Sequence, residues 1–268
     1  MKARTEDLRD LAARVAREAG TLLLRHAERL DELDVEHKTS ASDPVSQADR
    51  EAEALITQRL LAVRPEDGIL GEEDADNRPG TSGLRWVIDP LDGTVNFLYG
   101  IPQWCVSIAV EDDAGPLAGA VHDPNLDETF TAARDGGADV DGRPLHVSHA
   151  EGLAGALVGT GFSYEPAVRR DQGALASALL DVARDLRRAG AAALDLAWVA
   201  AGRLDAYLEY GLAPWDWAAG ELLVTEAGGS VTHLVTDLGG RPRSGLLAAG
   251  PACHDAFLAW LGSSGWRT

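Results

Sequence analysis

The sequence runs to 268 residues, 45% of them apolar, which suits one large domain or two intimate halves around a sizeable core. With 24 basic against 43 acidic side chains, the net charge of −19 argues against nucleic acid or an anionic membrane as the main partner, because either would be repelled. Cys105 and Cys253 stand far apart without a CxxC or Cys/His pattern and read as buried thiols. No apolar stretch approaches the ~20 residues of a membrane span, and the N-terminal MKARTEDLRD is charged throughout, so the expected location is the cytoplasm.

From Thr5 to about residue 33 the spacing of Leu8, Leu11, Val15, Ala19 and Leu22 predicts a scaffold helix. A polar, turn-prone stretch, HKTSASDPVSQAD, then leads to a second helix that Pro65 stops. Ser46 and Asp49 stand in the relation of a capping box, a structural role for Asp49. GIL (68–70) predicts a short strand, and Gly71, Glu72, Glu73 and Asp74 turn the chain just beyond it. An acidic turn of this kind is ordinarily solvated, yet its place one strand before the next motif makes it a source of oxygen ligands for a hard cation.

That next motif is WVIDPLDGTVNF (86–97), an apolar run that reads as a buried strand ending in a turn at Asp89, Pro90 and Asp92. Two carboxylates held so close repel each other unless a cation sits between them. Gly93 permits close backbone approach, and Thr94 could open a helix whose free N–H groups favour an anion. Hard-cation ligands beside anion-binding amides point to a metal-bridged phosphate, whereas an Asp-rich helix cap is the plain alternative.

CVSIAV, LAGAVH and ETFTAA predict successive strands, with EDDAGP as a hairpin turn, and His122 at a strand end reads as structural. A turn-rich stretch, DGGADVDGRP, and a soft boundary near residue 150 follow. ALVGTGF predicts a strand without a GxGxxG or P-loop pattern. A helix is expected over 171–184, another over AAALDLAWVAA, a strand over RLDAYLEY, and a helix after Pro214, where Asp216 could be a simple N-cap. Strands at SVTHL and LLAAG and a helix from Ala252 to about Leu261 complete an α/β (α+β) pattern.

Taken in order and spacing, Glu72-Glu73 after a glycine, WVIDPLDGTVNF and PWDWAAGELLVTEAGG resemble the inositol monophosphatase family of metal-dependent phosphatases. RRAGAAALDLAWVAAGRLDAYLE is similar to its bacterial members. The resemblance implies a single domain over 1–268, a layered α-β-α-β-α sandwich with a metal-bearing half to about residue 150, usually a homodimer. It implies hydrolysis of a small phosphomonoester with Mg²⁺, two or three ions per site. Glu72, Asp89 and the Leu91 carbonyl match the ligands of one ion, and Asp89, Asp92 and Asp216 those of a second. Gly93 and Thr94 match the phosphate cradle; Glu72 and the Thr94 hydroxyl would orient and deprotonate water, with Asp49 bonded to the threonine. Asp92, Arg187, Gly190, Ala192 and Glu209 match the substrate side, and Lys38 a basic residue near a loop. Ala191 stands where many relatives carry Ser or Thr.

Inositol-1-phosphate is the expected substrate, with histidinol phosphate, fructose-1,6-bisphosphate and 3′-phosphoadenosine-5′-phosphate as alternatives that use the same metals. A non-enzymatic metal-binding or interaction role on this fold is a further alternative. Aspartyl-phosphate chemistry needs Asp-x-Asp, and Asp89 and Asp92 are one residue too far apart for it.

Overall fold

The computed structural model describes residues 2–30, 35–37, 44–73 and 77–263; Lys38 and Asp74 lie outside them. Helices α1 (Lys2–Ala27) and α2 (Gln47–Val63) bracket a short antiparallel pair, β1 (Val35–His37) and β2 (Pro44–Ser46). Helix α1 starts before Thr5, which is buried within it, and ends at Ala27, well short of residue 33.

Seven strands then form one sheet in sequence order: β3 (Gly68–Gly71), β4 (Arg85–Asp92), β5 (Cys105–Asp112), β6 (Gly115–Asp123), β7 (Glu128–Ala133), β8 (Gly137–Val140) and β9 (Arg143–Pro144). Among the described residues of this sheet, only β3 and β4 run parallel. The last two strands lie in the stretch expected to be turns alone, where Ala138 and Val140 alternate inward within an otherwise polar run. A one-turn helix, α3 (Thr94–Leu98), follows β4.

The second sheet has the order β11-β10-β12-β14-β13, from β10 (Leu157–Thr160), β11 (Asp185–Arg187), β12 (Ala206–Tyr210), β13 (Ser230–Leu238) and β14 (Arg241–Ala249). Helices α4 (Pro166–Leu180), α5 (Ala192–Ala200), α6 (Pro214–Glu226) and α7 (Pro251–Ser263) complete the chain. Helix α4 lies a few residues before its expected position because Pro166 occupies its first turn, a place where the missing N–H costs nothing.

Strand alternation sorts the layers. Along β5, Val106, Ile108 and Val110 pack with α1 and α2, while Cys105 and Ala109 pack with α5 and α6. Along β14, Leu246 and Ala248 face the same α5–α6 layer and Leu247 and Ala249 face α4 and α7. Helices α5 and α6 are therefore the filling of an α-β-α-β-α sandwich, and their apolar layer joins the two sheets. The soft boundary near residue 150 falls between the sheets. Both cysteines are free and buried. His122 is buried and hydrogen-bonded through Nδ1 to Glu128 O and Thr129 Oγ1, a structural group.

The corner between α2 and β3 is fixed by Asp67. Its buried carboxylate accepts hydrogen bonds from Arg64 Nε (2.9 Å) and Nη2 (3.0 Å), Ser82 Oγ (2.6 Å) and Trp86 Nε1 (3.0 Å). Burial pushes the Asp67 carboxyl up, but its donors together outweigh that and hold it below the usual aspartate range. A carboxyl depressed in the folded state contributes stability above its unfolded pKa and loses it as pH falls through the folded value. Asp67→Ala is therefore expected to cost about 3 kcal/mol in urea unfolding at neutral pH, where it strands Arg64 and Trp86, and much less near pH 3.

Candidate active site at the seam of the two sheets

The carboxyl ends of β3, β4 and β12 and the first turns of α5 and α6 border one cleft of about 420 Å³. It is lined by Glu72, Asp89, Leu91, Asp92, Gly93, Thr94, Gly190, Ala192, Glu209 and Asp216. Asp49, Glu73 and Arg187, also singled out in the sequence, do not line it, and Asp49 sits directly behind Thr94.

The spacing of Asp89 and Asp92 has a backbone explanation. Residues three apart on a regular strand point to opposite faces. Here Asp89 pairs with Ser107 and Asp92 with Cys105, so β4 carries one extra residue against β5. That bulge turns both carboxylates into the cleft, and Pro90, which has no N–H to give a ladder, suits it. Leu91 N donates to Asp89 Oδ1 at 3.0 Å and closes the turn. Gly93 then takes φ +93°, and a Cβ there would lie 2.9 Å from Gln103 O, so both conformation and space select glycine.

Each carboxylate accepts a main-chain amide. Asp92 Oδ2 accepts from Ala193 N in the first turn of α5 at 2.7 Å. Asp216 is not the N-cap of α6 but its third residue, and its Oδ2 reaches back to accept from the N–H of the N-cap residue Ala213 at 2.7 Å. Asp49 behaves alike: its Oδ2 accepts from Ser46 N at 2.8 Å, closing the capping box, while its Oδ1 is 3.0 Å from Thr94 Oγ1. The Thr94 hydroxyl also lies 3.0 Å from Leu91 O. A hydroxyl has a single proton, so donation to either neighbour leaves its lone pairs available on the cleft side.

Electrostatically the site is under load. Burial, then the charges of Glu72, Asp92 and Asp216, push the Asp89 carboxyl well above the usual range. Burial and the nearby Asp92 and Glu72 do the same for Asp216. Asp92 is pushed up to about 7, mainly by burial, despite the N–H of Ala193. Among the described residues no three acidic, histidine or cysteine side chains are drawn together closely enough to hold a metal ion as they stand. The donors instead form an open, all-oxygen wall, the ligand chemistry that Mg²⁺ prefers.

At the far end, Tyr207 Oη donates to Glu209 Oε2 and fixes it. Arg187 points away: it is exposed and its Nη1 donates to Asp185 Oδ2 at 2.7 Å. Its neighbour Arg188 lines the cleft instead, passing so close over Gly190 (φ +95°) that a Cβ there would collide with the guanidinium. Adjacent residues at a strand end face opposite ways, and motif matching alone could not say which arginine turned inward. Asp195 was also missed. It is buried at the cleft wall, its Oδ1 has no hydrogen-bond partner, and burial and the nearby Asp92 and Glu209 push its carboxyl well up. The available signal was a charged residue inside the apolar helix AALDLAWVA.

These shifts fix a sign. Asp89, Asp92 and Asp216 bind more protons folded than unfolded between about pH 4 and the folded values, so the metal-free fold loses stability as pH rises through that window. In EDTA the Tm is expected to fall from about pH 5 to pH 8, and Asp216→Asn, which can still cap Ala213, should reduce the fall; scanning calorimetry reads both.

A model of the Inositol monophosphatase family matches residues 4–261. The chain is 46% identical over 223 residues to Nus factor SuhB of Xylella fastidiosa, covering 83% of this chain and 80% of that one. It is 44% identical over 235 residues to Inositol-1-monophosphatase SuhB of Mycobacterium tuberculosis, covering 85% and 81%. The crystal structure of extragenic suppressor protein suhB from Bartonella henselae superposes with a TM-score of 0.85 at 37% identity, over 93% of this chain and 96% of that one. A match of the family over nearly the whole chain, together with relatives and a fold of this likeness, means that the chain belongs to the inositol monophosphatase family of phosphatases.

Proposed function

We propose that the chain hydrolyses a small alcohol phosphomonoester, inositol-1-phosphate first among them, with Mg²⁺ and by direct attack of water. The observation that carries this reading is the meeting, in one cleft, of Glu72, Asp89, Asp92 and Asp216 from three separate segments, beside a Thr94 hydroxyl tied to Asp49. Glu72, Asp89 and the Leu91 carbonyl would hold one ion, and Asp89, Asp92 and Asp216 another. Like charges held together against burial fit a divalent cation, and the all-oxygen donors fit a hard one. Bound there, Mg²⁺ supplies charge that polarises the phosphoryl group and makes water more acidic.

The protein's own groups do the remainder. Glu72 accepts the proton of the attacking water, and Thr94, oriented by Asp49, aligns that water. The N–H groups of Gly93 and Thr94 receive phosphate oxygens. Glu209, held by Tyr207, accepts hydrogen bonds from hydroxyls of the alcohol, beside Gly190, Ala192 and Arg188. In this assignment Arg188 replaces Arg187. Two acidic side chains, Asp195 and Glu209, share that end with Arg188. A neutral polyol or a cationic alcohol suits such a lining better than a second phosphate does.

The reading includes a cytoplasmic homodimer of single-domain subunits; among the described residues no helix is long and apolar enough to cross a membrane. A second reading, an interaction role on the same fold, draws on the name Nus factor SuhB carried by the Xylella relative. The net charge of −19 disfavours direct contact with nucleic acid in either case.

Phosphate release decides between them. The purified protein is expected to turn over inositol-1-phosphate only with Mg²⁺, and faster than fructose-1,6-bisphosphate. Thr94→Ala and Asp92→Asn should each lower kcat by roughly 100-fold or more. A wild-type protein that releases phosphate from none of the four candidate esters would leave the interaction reading standing.

A further inference from the structure

Helix α2 carries a second buried acid that the mechanism above does not use. Glu53 lies four residues after Asp49, hence on the same helical face, and both are buried. Asp49 reaches Thr94, and Glu53 reaches the turn that presents Glu72: its Oε2 accepts the N–H of Glu73 at 2.9 Å. Three successive amides of that turn are bound by three different parts of the fold. Gly71 N donates to Asn77 Oδ1 (2.6 Å), Glu72 N to Ile88 O on β4 (3.2 Å), and Glu73 N to Glu53 on α2. The Cα of Glu72 is thus pinned between β4, one residue before Asp89, and α2.

The approach is tight. A Cβ built on Gly71 would collide with the Glu53 carboxylate, and its three nearest atoms all belong to that side chain. Glycine at 71 is therefore needed for Glu53 to lie across the turn, since no unusual backbone angle requires it. A buried carboxylate is costly to keep where an apolar side chain would pack, so its hydrogen bond to the turn is the reason it is there.

We propose that Glu53 is a positioning residue: through the N–H of Glu73 it sets the place of Glu72 in the cleft, so that one face of α2 orients both Glu72 and Thr94. This rests on the reading of Glu72 as ligand and base. The main-chain link requires an acceptor at position 53 and not a charge, and it predicts that Gly71 and Glu53 act as one unit.

The test combines calorimetric titration of Mg²⁺ into the metal-free protein with steady-state phosphate release from inositol-1-phosphate. Glu53→Ala is expected to weaken Mg²⁺ binding and lower kcat, each on the order of 10- to 100-fold, with KM for the ester moving far less. Glu53→Gln, whose amide oxygen can still accept, should recover most of both. Gly71→Ala should reproduce the Glu53→Ala effect by displacing the carboxylate, and the double variant should be no worse than Glu53→Ala alone. Should Glu53→Ala fail to fold, Gly71→Ala and Glu53→Gln carry the comparison. Wild-type values in Glu53→Ala or Gly71→Ala, a Glu53→Gln variant as impaired as Glu53→Ala, or additive losses in the double variant would each overturn the proposal. A wild-type protein that neither binds Mg²⁺ nor releases phosphate would instead overturn the underlying assignment of Glu72, a separate failure.

Discussion

Carboxylates brought together away from water repel one another, and most of this structure serves to hold four of them in place against that repulsion. Two unit charges about 4 Å apart repel by about 4 kcal/mol at the effective dielectric near a protein surface. A hydrogen bond to a charged group returns about 1.5–3 kcal/mol. The amides of Leu91, Ala193 and Ala213 each give one such bond, to Asp89, Asp92 and Asp216. They fix geometry without cancelling the charge, which is why burial and repulsion still leave all three acids pushed up. Rigidity around the cleft must then come from apolar packing elsewhere.

The sandwich supplies it. Helices α5 and α6 pack between the two sheets, and their first turns, part of that packing, also border the cleft. A helix start offers amides and a favourable dipole to an acid. The same layer that joins the two halves therefore also delivers the groups that hold Asp92 and Asp216, and neither half could build the site alone. On the other side α2 plays a comparable part, buried against α1 and β4 while Asp49 reaches through to Thr94.

How much of this could be read from the chain depends on whether the signal was local. The strands of the first sheet are legible because alternation and glycine turns are local, and the bulged turn at Asp89, Pro90 and Asp92 announces itself by a proline inside an apolar run. Strands β8 and β9 were hidden because their glycines and aspartates, Gly136, Gly137, Asp141 and Gly142, dominate the pattern, while the two buried residues Ala138 and Val140 give little periodicity. The end of α1 was misplaced because nothing in its sequence marks a stop at Ala27. Arg187 and Arg188 are chemically identical, and only the fold decides which one turns inward. Asp195 and Glu53 are recognisable as site residues only when distant segments are brought beside them, Asp195 against Asp92 and Glu209, Glu53 against Gly71 and Glu73.

Asp49 and Asp216 show why local patterns mislead in a particular way. Each occupies the third position of a helix, and each accepts the N–H of its N-cap residue with one carboxylate oxygen. A sequence reading then treats the cap as a sufficient explanation and sets it against function. A carboxylate has two oxygens, however, and an acid whose Oδ2 is bound to its own N-cap amide has lost its rotamer freedom, so its Oδ1 is aimed by the backbone itself. For Asp49 that second oxygen meets Thr94, and Asp216 lines the cleft itself. Capping is thus the means by which the fold orients these two acids, and a side chain fixed in advance loses less entropy when it is used. The structural role and the proposed chemical one belong to the same residue because the first makes the second accurate.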